Sequence, residues 1–207
     1  MAVYTRIVNK DISYINKKFE IEKIISFKGI KKGIENTNYL LSSKNKKFIL
    51  TIFEKRVLKK EIPFFMKLMD QLSDLDINCP KPLKNKNGKF LIKLKNKTAC
   101  IVTFLNGKDK KKLNYKNCYE IGKAIAQIHL STKKLKLYRG NSMSIVKLNP
   151  LLKKIKFKSR EFKNLEKFLK INFQIIKKNW PKQLPKGIIH GDLFIDNIFC
   201  KNNKLSG

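Results

Sequence analysis

Ile188-Ile189-His190-Gly191-Asp192-Leu193-Phe194-Ile195-Asp196-Asn197-Ile198-Phe199-Cys200 sets a polar core, H-G-D-x-x-x-x-N, between apolar residues. Leu193, Phe194, Ile198 and Phe199 are expected to anchor this loop in a core, leaving His190, Asp192 and Asn197 at its edge. Pro181 and Pro185 bound the linker that leads into it. Upstream, Leu165, Phe168, Leu169, Phe173 and Ile176 recur at helical spacing, and so do Ile121, Ala124, Ile125, Ile128 and His129. Both stripes read as helix faces. Leu105-Asn106-Gly107-Lys108-Asp109 is the expected hinge, dividing residues 1–104 from a mainly helical 105–207 that carries the loop at 188–200.

The first part reads as strands around one helix. Glu22–Phe27, Thr37–Ser42 and Lys47–Phe53 are apolar segments separated by Gly29, Gly33 and the polar turn Ser43-Lys44-Asn45-Lys46. Ile62, Phe65, Met66, Met69 and Leu72 follow one helical face, with Pro63 tolerated in the first turn. Lys89–Leu94 and Thr98–Phe104 add two strands after the Asn87-Gly88 turn. The expected fold class is α+β, a five-stranded antiparallel sheet with one helix followed by helices.

A chain of 207 residues buries about 70% of its unfolded surface and needs no disulfide or metal staple. With 42% hydrophobic residues and only nine Gly and six Pro, it is neither disordered nor of low complexity. The formal charge is +33, yet four arginines (Arg6, Arg56, Arg139, Arg160) leave 44 of the 48 basic residues as lysine, spread along the whole chain. Codon bias toward Lys, Asn and Ile accounts for that charge, so no specific nucleic-acid partner is expected. No apolar run approaches the roughly 18 residues of a bilayer span, and the N-terminus has no apolar signal region. The expectation is a cytoplasmic protein with no membrane partner. Cys79, Cys100, Cys118 and Cys200 form no metal-binding pair and read as reduced structural thiols; Trp180 and His129 read as core residues.

Phosphoryl transfer needs a carboxylate near the attacking hydroxyl and oxygen ligands for magnesium, and H-R-D-x-x-x-x-N supplies both in protein kinases. The interval from Asp192 to Asn197 is the same. An Asp and an Asn that merely cap turns is the plain alternative.

With these features the chain resembles the aminoglycoside phosphotransferase-like kinases, of bilobal protein-kinase-like fold, and among them the type II homoserine kinases. The resemblance rests on Met1-Ala2-Val3-Tyr4-Thr5, Ser26-Phe27-Lys28-Gly29-Ile30, Gly33 to Leu41, Phe48 to Arg56, Pro63-Phe64-Phe65, Ile101 to Leu105 and Ile188 to Phe194. It implies ATP-dependent phosphorylation of the L-homoserine hydroxyl to O-phospho-L-homoserine, a step of threonine biosynthesis, with ATP and Mg2+ as cofactors. Asp192 would be the catalytic base, Asn197 a magnesium ligand and His190 a support for the loop. Choline, ethanolamine, methylthioribose or an aminoglycoside are alternative acceptors within the same fold, and a non-catalytic basic binding protein is the alternative outside it.

Gly29 and Gly33 would let backbone amides approach phosphates, although as turn glycines they need no ligand. Adenine would meet backbone groups of Thr103, Phe104 and Leu105. Where kinases place a lysine on the third strand, this chain has Thr51; Lys55 or Arg56 are substitutes, and Glu61 is a candidate ion-pair partner. The second magnesium-binding aspartate of these kinases, in an Ile-Asp-Phe segment after the loop, does not occur before Gly207. The chain is therefore expected to be a fragment or a natural truncation and to catalyse poorly as it stands. Arg139, one of few arginines in a lysine-biased chain, is the candidate for gripping the substrate carboxylate, against a structural ion pair.

Overall fold

The computed structural model describes residues 3–33, 35–54, 58–110, 112–155, 160–202 and 204–207. Lys55 and Arg56 lie outside them. Two compact units emerge, one made of 1–137 together with 187–207 and the other of 138–186.

The first unit is built on a five-stranded antiparallel sheet in the order β1-β2-β3-β5-β4, with β1 Ser26–Gly29, β2 Thr37–Ser42, β3 Lys47–Ile52, β4 Leu91–Leu94 and β5 Lys97–Thr103. Register is set by alternation. Thr37, Tyr39 and Leu41 of β2 and Phe48, Leu50 and Ile52 of β3 are buried on one face, so a slip of one residue would turn these side chains to the other face. Two strands start later than the sequence predicts. Glu22, expected at the start of β1, instead accepts hydrogen bonds from Ser43 Oγ, Asn45 N and Asn45 Nδ2, all at 3.0 Å, and braces the β2–β3 turn. Lys89, expected in β4, closes a turn: Asn85 N donates to its carbonyl at 2.9 Å and its own N–H donates to Asn85 Oδ1 at 3.1 Å.

Helices sandwich this sheet. On the outer face lies α1, Asn9–Lys18, a second helix where the sequence reading has one. Its buried Ile12 and Ile15, with Ile7 and Phe19 beside it, pack on Tyr39, Leu41, Phe48, Leu50, Ile52 and Ile101. Asn16 behaves like a short strand, its Nδ2 donating to Ile24 O at 3.1 Å and its Oδ1 accepting from Ile24 N at 2.9 Å. Against the inner face lies α2, Ile62–Asp74, whose Ile62 and Met66 meet Cys100 and Val102. Pro63 sits in its first turn, where a missing N–H breaks no bond.

After β5 the chain forms α3, Tyr115–Thr132, capped by the Asn114 side chain accepting from Asn117 N at 2.9 Å. Ile121, Ala124, Ile125 and Ile128 are half-buried on it, but His129 is exposed, so the core reading of His129 does not hold. The second unit contains α4, Ile145–Lys154, and α5, Arg160–Asn179. Of the predicted α5 stripe only Phe173 is buried; Leu165, Phe168 and Ile176 are exposed, as is Trp180. Helical spacing sets which residues share a face, and burial then depends on what covers it. No helix among the described residues is long and apolar enough to cross a membrane.

Candidate active site

The loop from 188 to 200 folds back on itself. Gly191 adopts φ +77° and reverses the chain between His190 and Asp192. The Asp192 carbonyl then accepts from Phe194 N at 3.1 Å and from Asn197 Nδ2 at 2.8 Å. Asn197 ends a single 3-10 turn, Ile195–Asn197, that contains Asp196. Its Nδ2 also lies 3.4 Å from Asp192 Oδ2, so the carboxylate and the amide five residues on converge. Asp192 N donates to His190 Nδ1 at 3.4 Å. All three side chains are exposed. Only half of the expected apolar anchor is used: Ile198 is buried and Phe199 half-buried, whereas Leu193 and Phe194 are exposed.

That hairpin, β6 Cys200–Lys201 and β7 Lys204–Leu205, seats the loop against the segment after β5. Lys108 N–H donates to Cys200 O and Cys200 N–H to Lys108 O, both at 3.0 Å. Gly107 stands one residue earlier with φ +153°; a Cβ there would overlap Ser206 Oγ and lie 3.2 Å from Cys200 O. Gly107→Ala is expected to lower stability by about 1–3 kcal/mol through backbone strain alone. A thermal melt reads this as a fall of several degrees, and an unchanged midpoint would show that residue 107 does not hold this backbone angle.

In the same unit as the loop lies the turn between β1 and β2. Gly33 takes φ +102° with open space around it. Gly29 has a different reason to be glycine, since a Cβ would lie 2.9 Å from Val3 Cγ2 on the outer face. Asn36 Oδ1 accepts from Glu54 N at 3.3 Å, and Thr51 Oγ1 donates to Asn38 Oδ1 at 2.8 Å, so the residue standing where a third-strand lysine was expected is tied across the β2–β3 ladder. The inner-face row Lys28, Leu40, Ile49, Val102 runs across four strands. At its Val102 end α2 covers the sheet; at the other, Leu40 is half-buried and Lys28 exposed. Of the three hinge residues, Thr103 is already engaged: its N–H donates to Lys81 O and its hydroxyl accepts from Lys81 N, both at 2.9 Å. Phe104 is half-buried, with Lys47 Nζ 5.8 Å from its ring centroid.

The profile of the phosphotransferase enzyme family matches residues 26–207, taking in the sheet, α2 to α5 and the loop. The chain belongs to the phosphotransferase enzyme family. Within it, the chain is 37% identical to the homoserine kinases of Bradyrhizobium diazoefficiens and of Paramagnetospirillum magneticum, with all of this chain aligned to 64% of each relative's length. It thus spans a little under two thirds of these curated relatives. Among solved structures, an amicoumacin kinase in complex with AMP-PNP, Ca2+ and Ami superposes with TM-score 0.72 at 14% identity, over 97% of this chain and 62% of that one. A spectinomycin phosphotransferase in complex with ADP and its antibiotic gives 0.63 at 15% identity, over 96% and 67%. These likenesses establish the protein-kinase-like α+β fold.

In this member of the phosphotransferase enzyme family two polar contacts were not legible in the sequence. Lys32 Nζ pairs with Asp109 Oδ2 at 2.5 Å, between the β1–β2 turn and the segment after β5. Glu54, directly beyond β3, accepts from Thr5 Oγ1 and Thr37 Oγ1 at 2.7 Å each and from Lys97 Nζ. Burial pushes the Glu54 carboxyl up, but hydrogen bonds from Lys97, Thr5 and Thr37 outweigh it and hold the group below its ordinary range. A depressed carboxyl contributes stability above its unfolded value and loses it as pH falls through the folded one. The stability gap between the parent protein and Glu54→Gln is accordingly expected to narrow as pH is lowered from neutrality through the acid range. Urea unfolding at a series of pH values measures it, and a gap that does not change with pH would mean the carboxylate is not held this way.

Arg139 opens the second unit and is exposed there. Cys79 and Cys100 are pushed by burial up to about 11 and about 12, and among the described residues every cysteine is a free thiol. No group of three or more His, Cys, Asp or Glu able to hold a metal occurs among the described residues. The Asn197 amide oxygen, left over when Nδ2 donates to Asp192, and the Asp192 carboxylate both offer oxygens to a hard cation at the loop. That donor set fits magnesium held partly by a nucleotide's phosphates, the usual arrangement for this ion.

Proposed function

We propose that the chain carries the nucleotide-binding sheet and the catalytic loop of a homoserine kinase, transferring the terminal phosphoryl group of ATP to the L-homoserine hydroxyl and serving threonine biosynthesis. The observation that carries this is the convergence of Asp192 and Asn197 in a phosphotransferase-family chain 37% identical to homoserine kinases over its whole length. Asp192 accepts the hydroxyl proton as the oxygen attacks phosphorus. Asn197, already directing its Nδ2 at Asp192, presents its amide oxygen to Mg2+, which neutralises charge on the phosphates when bound. His190 supports Asp192 by accepting its backbone N–H.

Residues 1–104 form the nucleotide lobe in this reading, and 105–207 belong to the helical one. Gly33 leaves the β1–β2 turn open to phosphate oxygens, and Gly29 ends the strand before it. Backbone groups of Phe104 and Leu105 meet the adenine, next to Thr103, whose N–H holds Lys81. Arg139 grips the homoserine carboxylate; Arg139→Ala should raise the KM for homoserine roughly tenfold or more, the loss of a charge-assisted hydrogen bond. ATP-consumption assays on the protein expressed from its full coding frame, with homoserine, choline, ethanolamine, methylthioribose and aminoglycosides compared, test the reading. Turnover with homoserine alone supports it, and turnover with another acceptor in its place removes it.

A further inference from the structure

The β1–β2 turn is fastened to the ladder by Ile30 N–H, which donates to Asn38 O at 2.8 Å. Beyond that bond Lys31, Lys32 and Gly33 are exposed. Lys32 crosses 77 residues of sequence to Asp109, Nζ to Oδ2 at 2.5 Å. Asp109 is not a freely placed partner. It follows Lys108, whose two backbone hydrogen bonds to Cys200 fix it to β6, and β6 begins three residues after Asn197. Lys32 therefore ties the turn to the same backbone that seats the catalytic loop. Asp196, inside that loop, adds a weaker attraction to the Lys32 ammonium, which Asp109 holds above its ordinary range.

We propose that the Lys32–Asp109 pair is a positioning contact that keeps the β1–β2 turn down over a bound nucleoside triphosphate and slows its release. This rests on the nucleotide-binding role proposed above. The two side chains are 62% and 47% exposed, so the pair contributes little to global stability and its effect is read in ligand release. The sign of one substitution separates this contact from plain electrostatics. Asp109→Ala removes a negative charge near an anionic ligand, which by relief of Coulomb repulsion alone would slow release; loss of the fastening speeds it.

Stopped-flow release of N-methylanthraniloyl-ATP with Mg2+, chased by unlabelled ATP, tests this in the parent protein, Lys32→Ala, Asp109→Ala and the double variant. Asp109→Ala is expected to release the label roughly two- to fivefold faster at low salt, the size of an exposed ion pair. The double variant should release no faster than Lys32→Ala, since both single changes break one contact. At about 1 M salt, where screening acts within about 3 Å, parent and Asp109→Ala should converge. Unchanged or slower release by Asp109→Ala, or additive effects in the double variant, overturns the inference while leaving the nucleotide reading intact. A parent protein that binds no labelled nucleotide overturns the nucleotide reading and this inference with it.

Discussion

Asp192→Asn is expected, on the homoserine kinase reading proposed above, to lower kcat by about 10²- to 10⁴-fold, the range for removing a positioned proton acceptor, with the KM for ATP nearly unchanged. The substitution keeps the shape of the side chain. An asparagine oxygen at 192 can still receive the Asn197 Nδ2 that lies 3.4 Å from Asp192 Oδ2, and the 2.8 Å bond to the main-chain carbonyl is untouched. What disappears is the negative charge and the ability to take a proton. Asn197→Ala is the informative contrast, because it removes both the donor to residue 192 and the oxygen offered to Mg2+. Its defect should be partly relieved by raising Mg2+, whereas that of Asp192→Asn should not. Steady-state kinetics over a Mg2+ series measures both, and equal relief for the two variants would mean that Asp192 acts on the metal and not on the hydroxyl proton.

The parts of this arrangement that were legible in the sequence are those set by local pattern. Thr37–Ser42 is read to the residue because buried and half-buried positions alternate along it and polar turns lie at both ends. Ile62 and Met66 mark α2 because the face they form really is covered, by Cys100 and Val102. The H-G-D-x-x-x-x-N spacing brings Asp192 and Asn197 together because a five-residue interval ending in a single 3-10 turn is enough to close a loop locally. Covering, by contrast, is a tertiary property. Leu193 and Phe194 are as apolar as Ile198, yet only the last is buried. Lys32 and Asp109 are one lysine among 44 and one acid among 15, and nothing local pairs two groups 77 residues apart. Gly29 and Gly33 look alike in sequence, but one is required by Val3 against its Cα and the other by its backbone angle.

Phe19→Ala should cost about 3–5 kcal/mol, a large share of the roughly 5–15 kcal/mol that holds such a chain folded. Phe19 is 2% exposed, directly beyond α1, where its N–H donates to Ile15 O at 3.0 Å, and it belongs to the core on the outer face of the sheet. The sequence hides this helix because only Ile12 and Ile15 within it are buried, too few for a periodic stripe, and its cap is Asp11 reaching back to Val8 N at 2.8 Å. Covering the outer face nevertheless falls to this short element and to Phe19, beside Tyr39, Leu41 and Leu50. Ile25→Ala, six residues on, is the control: Ile25 is 68% exposed and its truncation should stay within about 0.5 kcal/mol. Chemical denaturation separates the two, because burial and not hydrophobicity decides the cost. Comparable losses at 19 and 25 would mean that α1 does not close the outer face, and the sheet that positions the β1–β2 turn would then need another support.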